Sequence, residues 1–80
     1  MKFLIEVYGE DDEFIANMLR KYAEKLLQTE TDVDKLMTAM ERYCLEFVWT
    51  WLVNHDDYVL VTLVDDNKKW IGQYHMDGSA

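Results

Sequence analysis

Apolar and polar residues alternate from Lys2 to Tyr8, with Phe3, Ile5 and Val7 on one side and Leu4, Glu6 and Tyr8 on the other, until the run meets Gly9. A period of two predicts a strand whose two faces differ. Beyond the acidic run Glu10-Asp11-Asp12-Glu13, the apolar residues change spacing to Phe14, Ile15, Met18, Leu19, Tyr22 and Leu26. That is one face of a helix, and the carboxylates before it suit the positive end of its dipole. Ala16, Ala23 and Leu27 widen the stripe at one flank, so this helix is expected to touch both a sheet and a second helix.

Thr31 with Asp34 three residues later resembles a capping box with Asp in place of Glu, and it opens a second helical pattern. At about 100° per residue, Val33, Leu36, Met37, Met40, Tyr43, Cys44, Phe47, Val48 and Trp51 fill one arc of roughly 140°. No polar residue interrupts that arc, which predicts a helix reaching about Asn54. The alternative ends the helix near Leu45 and makes Phe47-Val53 a fourth strand, since aromatic and β-branched residues of that density favour sheets. The continuous helix is preferred because no turn residue separates Leu45 from Phe47.

Asn54-His55-Asp56-Asp57 reads as a turn, Tyr58 to Val64 as a strand apolar on both faces, Asp65-Asp66-Asn67-Lys68 as a hairpin loop, and Trp70 to Met76 as a last strand. The expected fold is α+β in the order β-α-α-β-β: a three-stranded antiparallel sheet, Tyr58–Val64 in its middle, with two helices packed on one face.

The chain has 80 residues, enough for one domain over 1–77 with Gly78, Ser79 and Ala80 as a loose tail. Half of it is hydrophobic and 14% aromatic, too rich in apolar side chains for a disordered chain even at a net charge of -8. Sixteen acidic residues against eight basic ones argue against direct binding to nucleic acid or an anionic membrane, where Lys and Arg do the work. A basic surface on another protein is the natural complement. The single cysteine excludes an internal disulfide, no leader or long apolar run is visible, and a cytoplasmic location is expected.

No catalytic constellation emerges from the sequence, and neither enzyme activity nor a cofactor or metal is expected. Cys44 with His55 or His75 would be a nucleophile and base, but Cys44 sits in the middle of the apolar stripe, where a thiol is buried and inert. His55 beside Asp56 and Asp57 is the remaining metal or general-base candidate, a third-ranked reading because its spacing matches no known ligand frame. Glu10 to Glu13 lacks the alternating oxygens and central glycine of a calcium loop.

Two features point to binding instead. Chain direction reverses at each connection, so Glu10, Asp11, Asp12, Glu13, Asp56, Asp57 and Asp77 are expected at one end of the domain, a like-charge concentration that costs stability unless a basic partner uses it. On the back of the second helix, Leu45, Trp49 and Leu52 fall at i, i+4 and i+7, flanked by Val53, as an apolar contact patch. The leading expectation is a small acidic inhibitor or adaptor occupying a basic, nucleic-acid-binding surface of a partner, in the manner of DNA-mimicking anti-restriction or anti-CRISPR proteins of phages. That comparison rests on composition alone. The alternative is a homo-oligomeric module, a homodimer joined through the Leu45/Trp49 face.

Overall fold

The alternating segment forms β1 (Lys2–Tyr8), paired antiparallel with β2 (Tyr58–Val64) in unbroken register from Lys2↔Val64 to Tyr8↔Tyr58. β2 pairs antiparallel with β3 (Trp70–Asp77), giving the strand order β1-β2-β3. The computed structural model describes residues 1–9, 12–55 and 58–77, the last three of the helical residues by backbone alone. Its order is β-α-α-β-β, as the hydrophobic pattern predicts.

The middle position of β2 explains why it is apolar on both sides. Val59, Val61 and Leu63 are fully buried towards the helices, opposite Val7, Ile5 and Phe3 of β1. Thr62 and Val64 are buried on the other side, where Gln73 Nε2 donates to Thr62 Oγ1 at 3.1 Å. α1 (Asp12–Thr29) lies over β1 and buries Ile15, Ala16, Leu19 and Ala23.

Glu30 and Asp32 shape the connection that follows. The Glu30 carboxylate accepts the N–H groups of Thr31 and Asp32, and Asp32 caps α2 (Val33–Tyr43) by accepting the Lys35 N–H at 3.0 Å. The cap is therefore Asp32, one residue past the expected Thr31: with its N–H drawn back to Glu30, Thr31 belongs to the turn, and the carboxylate is the better partner for an orphan N–H.

α2 runs on through a π-helical turn (Cys44–Val48) into α3 (Trp49–His55), so Phe47-Val53 is helix and not a fourth strand. The Trp49 N–H donates to the Cys44 carbonyl, five residues back. A π turn takes in one residue more than an α turn and sets everything beyond it back by about 100°. This decides which side chains reach the sheet. The buried set is Leu36, Met40, Cys44, Val48 and Leu52, a strict i+4 series. In an uninterrupted α-helix Leu52 would stand about 160° from Leu36, on the opposite face, whereas the π turn brings it within about 60°.

The rod of α2 and α3 packs over β3. Gly72 permits the approach, since a Cβ there would meet Met37 Cγ and Sδ at 3.0 Å. In the β2–β3 loop, Asp65 Oδ1 accepts the N–H groups of Asn67 and Lys69, both at 2.9 Å, while Lys68 takes a positive φ of 64°. The register then shifts by one residue beside Leu63/Val64.

Candidate functional site

The strand register builds one end of the domain. Tyr8, Tyr58 and Asp77 are paired in a row across the three strands, α1 begins there at Asp12, and α3 ends there at His55. Of the seven acids expected at this end, Asp12, Glu13 and Asp77 are placed there; Glu10, Asp11, Asp56 and Asp57 lie outside the described residues. Glu6 joins them, from within a strand and not from a loop. Its signal was available, because Glu6 shares the outer face of β1 with Tyr8, one alternation back from the strand's end.

Glu6 Oε2 accepts the Tyr8 hydroxyl at 3.0 Å, and this bond, with the carboxylate's charge, raises the Tyr8 phenol above its ordinary pKa. Asp12 Oδ1 accepts the Glu13 N–H at 2.8 Å, at the start of α1. The ion pair found among the described residues, the Met1 α-amino group with Asp66 at 3.0 Å, is at the far end of the sheet. Glu6, Asp12 and Glu13 thus face solvent with no ion pair to any of them among the described residues, although Arg20 lines the same groove. The Tyr8 and Tyr58 rings stack at 4.7 Å between centroids, and His75 meets Tyr58 edge-on at 5.2 Å, so an aromatic ladder on the open sheet face borders the acids.

Two grooves run along the outer edge of β1, where it faces α1. One, of about 390 Å³, lies at the acidic end between β1 residues Ile5 to Tyr8 and Asp12, Glu13, Ala16 and Arg20 of the helix. The other, of about 240 Å³, continues from Ile5 and Arg20 towards Lys2, Ala23 and Glu24. Alanines at 16 and 23, both buried, keep the helix close while leaving space at the edge.

The expected apolar patch is only partly present. Leu45 and Trp49 are exposed at 53% and 38%, but Leu52 is fully buried because the π turn rotates it onto the sheet, and the side chain of Val53 lies outside the described residues. The same rotation carries Phe47 and Trp51, expected in the core stripe, towards α1. There the Phe14 and Trp51 rings lie 4.9 Å apart and Tyr43 stands between Tyr22 and Phe47, at 4.2 and 5.1 Å. Phe14 and Phe47 remain more than half exposed, at 51% and 55%.

Cys44 is fully buried, and burial, with the nearby Glu41 charge adding to it, pushes its thiol up to about 12. A thiol held neutral in this way is no nucleophile at neutral pH. His75 is exposed and paired with Tyr58 through its ring edge. Among the described residues no group of His, Cys, Asp and Glu could hold a metal ion; the His55 side chain, Asp56 and Asp57 lie outside them. Nor is any described helix long and apolar enough to cross a membrane. No protein-family model, curated protein or solved structure matches the chain.

Proposed function

We propose that this chain is a small acidic binding module, an inhibitor or adaptor that places its acidic end on a basic surface of a partner protein and acts by binding rather than catalysis. The observation that carries this reading is the convergence of Glu6, Asp12 and Glu13 beside Tyr8, with no cation paired to them among the described residues. Unpaired carboxylates at one end repel each other, and a Lys- or Arg-rich surface relieves that repulsion on contact. The adjoining rings of Tyr8 and Tyr58 add faces on which a guanidinium can rest. A nucleic-acid-binding site is the kind of basic surface such an end would occupy, by analogy with DNA-mimicking inhibitors, and the proposed setting is the cytoplasm.

The test compares proteins retained from an extract of the source cells by the immobilised parent and by the triple variant Glu6→Gln, Asp12→Asn, Glu13→Gln, at low and high salt. These changes keep the side-chain acceptors, including that of Asp12 for the Glu13 N–H, and remove the charge. Each exposed charge contact contributes about 0.2–1 kcal/mol, so the variant should bind its partner roughly tenfold more weakly at low salt. The difference should shrink as salt rises. A partner held equally well by both proteins at low salt would remove the acidic end from the contact.

Self-association is the second reading, and it is now supported by Phe14, Phe47 and Trp51 along the helix pair and by Leu45 and Trp49, rather than by the set that included Leu52.

A further inference from the structure

β1 is an edge strand. Along all seven of its residues it is paired with β2, and among the described residues nothing pairs with its other side. In an antiparallel strand alternate residues turn their N–H and C=O groups away from the existing neighbour, so the free side offers a row of donors and acceptors spaced for another strand. This edge is lightly protected: β1 contains no proline, its register with β2 has no bulge, and Lys2 and Glu6 are its only charges. β3, the other edge, is broken near its start by the register shift.

The groove gives this edge a place for side chains as well as backbone. Phe3 is buried beneath α1, while Ile5 and Val7, on the same face and nearer the acidic end, pack against the core but keep part of their surface exposed. The trough therefore opens towards Tyr8. Its rim there carries Glu6, Asp12 and Glu13 against the single Arg20, while Lys2 and Glu24 balance each other at the far end. An extended chain laid along β1 would cover Ile5 and Val7 with alternate side chains and meet net negative charge at the Tyr8 end.

We propose that the free edge of β1 takes up an extended segment of the partner as a fourth strand, a segment with apolar residues at alternate positions and Lys or Arg at the end lying beside Tyr8. The inference rests on the acidic-end reading above and specifies how the partner is held: backbone hydrogen bonds give the contact its affinity, and the charged end sets its choice of partner. A second copy of this chain is the weaker occupant, because β1 has only Lys2 to offer the acids of its mate and two chains at -8 repel.

The probes are synthetic peptides as long as β1. One alternates Lys and Val, two more have the same sequence with backbone N-methyl groups on one or the other alternate set of residues, and the last alternates Glu and Val. Titration into the isotope-labelled chain, followed by amide hydrogen exchange, reads both affinity and location. Expected is binding of the Lys/Val peptide with slowed exchange at alternate amides of β1. One N-methylated version should lose roughly tenfold or more, since it lacks the inward-facing donors, and the other should lose much less. The Glu/Val peptide should not bind.

Equal binding of all three Lys/Val peptides, with no protection in β1, overturns strand addition and leaves the acidic contact standing. Binding of Glu/Val as tight as Lys/Val, with β1 protected, keeps strand addition and overturns the acidic reading. Protection in β3 instead, or no binding by any peptide, overturns the proposal. So does protection of β1 in the chain alone that grows with its concentration, which assigns the edge to a second copy.

Discussion

Cys44 shows how one buried atom ties reactivity to stability. The thiol lies in the i+4 series between Met40 and Val48, with no exposed surface, and its pKa is pushed up to about 12 by burial first and the Glu41 charge second. In the unfolded chain a cysteine titrates at about 8.5. Because the folded pKa is raised, the associated stability is complete below the unfolded value and is lost as pH climbs from there towards the folded one. The denaturation midpoint of the parent should therefore fall between about pH 8.5 and 12, and that of Cys44→Ala should fall less across the same range. Thiol labelling near pH 8 should proceed only at the rate at which the core opens. Prompt labelling of the native protein, or identical pH slopes for the two proteins, would show that the thiol reaches solvent.

At the scale of the elements, the π turn is the feature with the largest consequence. It makes Leu52 a core residue and Phe47 a surface one, and an uninterrupted α-helix makes the opposite assignment. Leu52→Ala should cost about 3 kcal/mol, within the range for a leucine emptied from a packed core, and Phe47→Ala less than about 1.5 kcal/mol, chiefly its ring contact with Tyr43. Urea denaturation of the two variants measures both, and a larger loss for Phe47→Ala would place the second helix in the uninterrupted phase. The same turn marks where sequence reasoning stopped being sufficient. Strand alternation in β1, the doubly apolar β2 and the unbroken run into Phe47-Val53 were all legible, because each depends on neighbours along the chain. The i+4 series was also present from Leu36 to Leu52, but an ideal period of 3.6 drifts off it, and only contact with the sheet makes the extra residue per turn worthwhile. Reversal of the chain at each connection was enough to place Asp12, Glu13 and Asp77 at one end. The trough beside β1 was not legible, since it depends on how closely Ala16 and Ala23 let α1 approach the strand and on which edge is left open.

Taken whole, the molecule sets a charge of -8 against several exposed aromatic side chains. Phe14, Phe47 and Trp51 lie along the helix pair, and Leu4, Tyr8 and Trp70 lie on the sheet side, so apolar surface is available on both faces. A domain this small buries only about 60% of its unfolded surface, which leaves such residues partly exposed. Like charge opposes association of two copies: at physiological salt the repulsion extends over about 8 Å, further than a ring contact reaches. Near the pI of about 4.5 that repulsion vanishes while the apolar surfaces remain. We expect the protein to stay monomeric at neutral pH and low salt, and to self-associate as pH falls towards 4.5 or as salt rises. Light scattering across pH and salt, with circular dichroism to verify that the fold persists, measures this. Phe14→Ser combined with Phe47→Ser should suppress the association if the helix pair is the adhesive face, whereas Leu4→Ser with Trp70→Ser should suppress it if the sheet is. The helix pair is the expected answer, because Phe14 and Trp51 already pack ring against ring between the two helices and Phe47 against Tyr43, so a second copy can cover them with little reordering. A protein that remains monomeric through its pI would mean that these rings are too sparsely spread to hold two copies together. Charge would then contribute solubility and partner choice, but would not be what keeps the chain single.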